Sequence, residues 1–266
     1  INSREIQYDD AFSIFLARQS LGNIIQGTAA DTMPPLYYFL LHFWLGLSSE
    51  LAVLRLLSVG LSLIGWVIAV DLCRRMFGVR AALVAGLLLA FSPLQIYHSQ
   101  DLRMYALLMV GQMAYYWFFY RIFEEKNSQK LLWIGLIISG IIALYSHALA
   151  GFGLIWGNIY LFGKKRWNDH TQLIKAQLWI GLAYLPWAFF LPGQIAKVQR
   201  AFWTPRPGIV EILQSVILFH ANLPLKGILL PIVAVVSAQL FFVILWELWK
   251  ERNDHSFIDL VGLLVI

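Results

Sequence analysis

The chain has 266 residues, of which 59% are hydrophobic and 13% charged, with a formal net charge of +5. Soluble domains carry about a quarter charged residues, so this chain cannot cover its own surface in water and reads as a polytopic membrane protein. The basic excess needs no nucleic-acid partner, because cytoplasmic loops of membrane proteins collect Lys and Arg. The single cysteine, Cys73, excludes an internal disulfide and a cysteine-based metal cluster. Because the chain opens on Ile1 and stops within the apolar run 257–266, it is expected to be a piece of a longer protein.

Residues 1–50 are expected to form a non-cytoplasmic region outside the bundle. Tyr8-Asp9-Asp10-Ala11-Phe12-Ser13 opens it with two adjacent carboxylates. Ile14, Phe15, Leu16, Leu21, Ile24 and Ile25 are spaced like one helical face, which predicts one or two amphipathic helices at the membrane surface. Pro34-Pro35 then precede 36–47, a run too short to span and expected to be interfacial or re-entrant.

Residues 51–266 are expected to form the transmembrane bundle. Leu51–Cys73 is the first full span, with Arg55 near its start and Asp71 near its end. Arg74, Arg75 and Arg80 flank the turn Met76-Phe77-Gly78, and Ala81–Tyr97 returns with Pro93 near its far end. After Ser99-Gln100-Asp101-Leu102-Arg103-Met104-Tyr105 the chain crosses again to about Phe123. Leu131–Ala148, Leu149–Phe162 and Ala176–Leu191 are further spans. A polar segment at 193–208, a surface helix at 210–220 and a last span at 227–249 complete the reading.

Most Lys and Arg fall in the loops 74–80, 121–130, 164–175 and 250–252, which alternate with the remaining loops. The positive-inside rule makes these cytoplasmic and puts Asp9, Asp31, Arg55, Asp101, Arg103 and Trp203 on the opposite face. An ionisable group at membrane depth costs about 2.5–3.5 kcal/mol, so such a gathering points to function. A carboxylate can take a proton from a hydroxyl nucleophile, and a planar guanidinium suits phosphate oxygens. Together they describe a site for a membrane-embedded phosphate and an attacking alcohol.

Structural roles compete residue by residue. Asp9 and Asp10 suit a helix N-terminus, Arg55 can snorkel to headgroups, and Asp101 can pair with Arg103. His147 suits a packing role, and Trp187 and Trp203 suit an interfacial belt. A transporter or lipid flippase is the rival class. It would favour inverted repeats and charges near the midplane, and the sequence has neither.

The motif around Asp9-Asp10, then Asp31-Thr32-Met33-Pro34-Pro35-Leu36-Tyr37-Tyr38, then Leu54-Arg55-Leu56-Leu57-Ser58 resemble the family 39-type glycosyltransferases of the C-fold superfamily. These are relatives of the dolichyl-phosphate-mannose–protein mannosyltransferases, with bacterial members that include lipid A aminoarabinose transferases. Ser99 to Tyr105, Tyr145-Ser146-His147, Tyr184-Leu185-Pro186-Trp187 and Phe202-Trp203-Thr204-Pro205 continue the resemblance in order.

The resemblance implies an all-α polytopic bundle and an inverting transferase. Its donor would be a polyprenyl-phosphate sugar and its acceptor a hydroxyl on a protein, lipid or glycan, met at the non-cytoplasmic face of a bacterial cell membrane. It makes Asp9 the general base and Arg55 the ligand of the lipid phosphate. Asp10, Asp31, Asp101 and Arg103 would surround sugar and phosphate, and Tyr105 and His147 join the donor-binding set. Asp10 and Asp101 stand where the family usually has Glu, and Met33 where His usually precedes the proline pair. No metal or other cofactor is expected.

Overall fold

The computed structural model describes residues 5–201 and scattered positions between 208 and 246. The expected helix 210–220 and span 227–249 lie almost wholly outside the described residues, as does Trp203. Ten helices follow one another among the described residues, without a strand: α1 (Tyr8–Ala17), α2 (Leu21–Ala30), α3 (Leu36–Leu45), α4 (Leu51–Phe91), α5 (Pro93–Ser99), α6 (Tyr105–Phe123), α7 (Lys130–Ser146), α8 (Ala150–Gly163), α9 (Trp167–Ala188) and α10 (Leu191–Ala201). The fold is the expected all-α membrane bundle.

The amphipathic segment resolves into two short helices. Asp9 and Asp10 lie in the first turn of α1, where carboxylates complement the helix dipole. Ser20 caps α2, its Oγ accepting the Asn23 N–H at 3.3 Å. Leu16 and Ile24 are buried, whereas Phe15, Leu21 and Ile25 are exposed. The short α3 packs between α1, α4 and α7 and buries Tyr37, Tyr38 and Leu41.

The 41 residues of α4 would extend about 60 Å if straight, twice the thickness of a bilayer core. Gly78 breaks them, with φ 86° and ψ 175°, a conformation that a Cβ would strain. The two limbs fold back on each other, and Trp66 Nε1 donates to the Gly86 carbonyl at 2.9 Å across the hairpin. This is the turn that Met76-Phe77-Gly78 predicts. The return limb ends earlier than expected, at Phe91 and not Tyr97. Ser92 starts a new helix there, its Oγ accepting the Gln95 N–H at 3.4 Å, with Pro93 in the first turn where its missing N–H is harmless.

Helices α6 to α9 form the body of the bundle. At Gly111 of α6 an added Cβ would lie 2.7 Å from the Ala143 backbone nitrogen of α7, so the two helices cross at backbone contact. Tyr115, Phe119, Phe123, Leu136, Leu161, Leu173 and Ile180 fill the interior between them. A second cluster of Ala17, Tyr37, Leu41, Leu54, Leu102, Met104 and Leu107 joins α1, α3, α4 and α6.

Large apolar side chains face outward, among them Leu63, Val67, Leu83, Leu87, Ile138, Phe152, Ile155, Leu178 and Leu182. An apolar exterior of this extent fits contact with lipid. Among the described residues α4 is long and apolar enough to cross a membrane, and α9 with α10, bent by 62°, passes the same test. The polar segment from 193 onward begins within α10. Its Gln194 Nε2 donates to the Thr28 carbonyl at 3.2 Å and Lys197 Nζ to the Ala30 carbonyl at 2.7 Å. These bonds satisfy the last carbonyls of α2 and pin α10 over it.

Candidate active site

The chain runs up and down, so its charged connections gather at two ends. At one end Asp71 accepts from Arg74, Arg75 and the Trp117 indole, each at 2.7 Å. Arg75 also donates to Glu125 at 2.7 Å, and Arg166 pairs with Asp169 and Glu124. The guanidiniums of Arg75 and Arg121 lie over the Trp117 ring, 5.2 and 4.8 Å from its centroid. The basic loops at 74–80, 121–130 and 164–175 therefore meet at one end of the bundle, as the alternation of charge predicts.

The expected site residues gather at the other end. Asp10 is 1% exposed and Arg55 fully enclosed, with Arg55 Nη2 3.5 Å from Asp10 Oδ2. Arg55 Nη2 also donates to the Glu5 carbonyl at 3.2 Å. The second oxygen of Asp10, Oδ1, accepts the Leu102 N–H at 2.9 Å. One carboxylate thus ties the first turn of α1 to the start of α4 and to the connection 100–104.

Asp9, one position earlier, turns the other way and is exposed. It acts electrostatically on Arg103, together with Asp31 at the end of α2 and the phenols of Tyr38 and Tyr105. Burial opposes the charge of Arg103, yet these neighbours hold its pKa above the usual arginine value. Arg103 Nη1 donates to the Tyr38 hydroxyl at 3.4 Å, and its buried Nε has no hydrogen-bond partner. Burial raises the pKa of the Tyr38 phenol, with Arg103 pulling the other way.

Asp101 is held from both sides. Its carbonyl accepts from Ser58 Oγ at 2.6 Å, and Ser58 Oγ is 2.9 Å from the Tyr37 hydroxyl. Since Ser58 has one proton and gives it to Asp101, Tyr37 donates to Ser58. The Asp101 carboxylate lies 2.9 Å from His98 Nδ1. His98 in turn packs its ring against Tyr105, with centroids 4.6 Å apart.

Tyr105 forms the rim of a groove of about 310 Å³ between α6 and α8, which continues along Met109, Gln112 and Tyr116 to Phe152 and Gly153. His147 closes the end of α7, where its Nδ1 accepts the Leu149 N–H at 3.1 Å. The charge of Arg103 reaches its imidazole.

All eight expected site residues thus lie at one end of the bundle, in two tiers. Asp10, Arg55 and Asp101 are embedded in the framework, whereas Asp9, Asp31, Tyr105 and His147 surround Arg103. Tyr38, Ser58 and His98 had no role in the sequence reading. The spacing of His98 and Asp101, one helical turn apart, is the signal that could have found the last. Among the described residues no group of three His, Cys, Asp or Glu side chains is arranged to hold a metal ion.

No curated protein and no solved structure matches the chain. The family model for dolichyl-phosphate-mannose–protein mannosyltransferases matches residues 32–191. That match covers more than half of the chain and includes Arg55, Asp101, Arg103, Tyr105 and His147, while Asp9, Asp10 and Asp31 precede it. The residues from the end of α2 to the start of α10 thus carry the pattern of these integral membrane glycosyltransferases, and the chain belongs to the dolichyl-phosphate-mannose–protein mannosyltransferase family.

Proposed function

We propose that this chain carries the catalytic site of an inverting glycosyltransferase that moves a sugar from a polyprenyl-phosphate donor to a hydroxyl acceptor. The observation that carries the reading is the buried guanidinium of Arg103, on which the exposed Asp9 carboxylate and Tyr105 both act, Tyr105 itself lining an apolar groove. A donor of this class has an apolar chain, an anionic phosphate and a polar sugar, and the three surfaces occur here in that order. The isoprene units enter the α6–α8 groove and the phosphate stops at Arg103. The sugar then lies toward Asp9 and Asp31.

Asp9 takes the proton from the acceptor hydroxyl as its oxygen attacks the anomeric carbon. The bond from that carbon to the phosphate oxygen breaks, and its electron pair leaves with the phosphate. Arg103 offers its planar fork to the charge that develops there. Asp10 and Arg55 hold α1 in place beneath, so that Asp9 is presented from a fixed helical turn. In this reading Arg55 contributes its positive charge from below the site, because its guanidinium is enclosed by Asp10 and the Glu5 carbonyl. The end that carries the site lies opposite the basic loops, which supports a non-cytoplasmic placement.

The full-length protein in membranes, given a panel of labelled polyprenyl-phosphate hexoses and pentoses with a mixed acceptor extract, tests this. Transfer from at least one donor, with release of polyprenyl phosphate and inversion at the anomeric carbon, is expected. Retention of anomeric configuration would contradict a single displacement with Asp9 as base.

A further inference from the structure

We infer that His98 delivers a proton to the departing phosphate, with Asp101 as the positioning residue that orients its ring. The inference rests on the glycosyltransferase reading above. It begins from geometry that the reading does not use. His98 sits at the end of α5 with its side chain about one-third exposed, while Asp101 is 7% exposed and lies behind it at 2.9 Å. A buried carboxylate bonded to Nδ1 fixes that nitrogen as the protonated one and leaves Nε2 for a ligand.

The ring is also held in plane. Tyr105 packs on it at 4.6 Å and Tyr97 at 5.2 Å, and the Tyr97 hydroxyl donates to Gln7 Oε1 at 2.8 Å beside the first turn of α1. Such fixation of a partly exposed imidazole on three sides is more than packing requires, because a ring at a helix end could otherwise turn freely to solvent.

Its position suits the leaving group. Tyr105 is both the contact of His98 and part of the wall of the α6–α8 groove, and it also acts on Arg103, so a phosphate brought to Tyr105 comes to the neighbourhood of both residues. Inversion places the base and the leaving group on opposite faces of the anomeric carbon. Asp9 comes from α1 and His98 from the end of α5, two separate elements that can flank one sugar.

The balance is simple. The acceptor oxygen bonds to the anomeric carbon and gives its proton to Asp9. The carbon–oxygen bond to phosphate breaks toward oxygen, and the imidazolium of His98 passes its Nε2 proton to that phosphate. The monoester leaves with one negative charge, not two. Asp9 then releases a proton to water and His98 regains one.

His98→Asn and His98→Gln, made in the full-length protein, separate this role from a structural one. The asparagine amide can replace Nδ1 toward Asp101 but places nothing at Nε2. We expect both variants to keep the wild-type unfolding temperature and donor KM while kcat falls about 100-fold, the usual contribution of one acid–base group. Added imidazole should restore part of the rate in His98→Ala, which a purely structural loss would not allow.

A kcat within threefold of wild type in His98→Asn would overturn the inference and leave the glycosyltransferase reading standing. So would a rate in His98→Ala that imidazole leaves unchanged. Absence of sugar transfer by the wild-type protein from every donor would overturn both.

Discussion

Asp10 and Leu102 meet across 92 positions of the chain, the Asp10 carboxylate accepting the Leu102 N–H at 2.9 Å. The same side chain faces Arg55 at 3.5 Å, so a single buried carboxylate fastens three segments that also share an apolar cluster. Removing one partner from a buried charge pair strands the other. Asp10→Ala should therefore lower stability by about 3 kcal/mol. Asp10→Asn, which keeps an acceptor for Leu102, should lower it less. Thermal unfolding in detergent measures both, and equal effects would contradict the clasp.

Arg103 offers a second test, of charge against shape. Arg103→Lys keeps the positive charge but loses the planar fork, so donor KM should rise about tenfold with folding intact. An unchanged KM would remove Arg103 from phosphate binding.

The crossing of α6 and α7 makes a prediction about the fold alone. Gly111→Ala would place a Cβ 2.7 Å from backbone nitrogen, where no side chain can yield. Overpacking of this kind costs about 1–3 kcal/mol, and the unfolding temperature should fall accordingly. Gly181, whose added Cβ meets nothing within 4 Å, is the control and should tolerate alanine.

Much of this architecture is legible in the sequence because charge and hydropathy are sparse, strong signals in a membrane chain. The basic loops sort to one end, and Gly78 marks the hairpin because its backbone conformation suits a residue without Cβ. The Ser92-Pro93 start of α5 was also present as a helix signal, but it sat inside an apolar run that reads as one continuous span.

The division of labour between Asp9 and Asp10 is not legible. Adjacent residues on a helix point about 100° apart, and only the packing of α1 against α3 and its pairing with Arg55 of α4 decide which faces inward. The pairing of Asp101 with His98, where the sequence suggested Arg103, is equally a product of how α5 ends.

The most direct test of the central claim compares Asp9→Asn with Asp10→Asn in full-length protein, each checked for folding, using the labelled donor that supports transfer by wild type. The account predicts that Asp9→Asn keeps wild-type stability and donor binding but loses transfer by about 100-fold or more, while Asp10→Asn loses stability first. Transfer at the wild-type rate in a folded Asp9→Asn protein would contradict it.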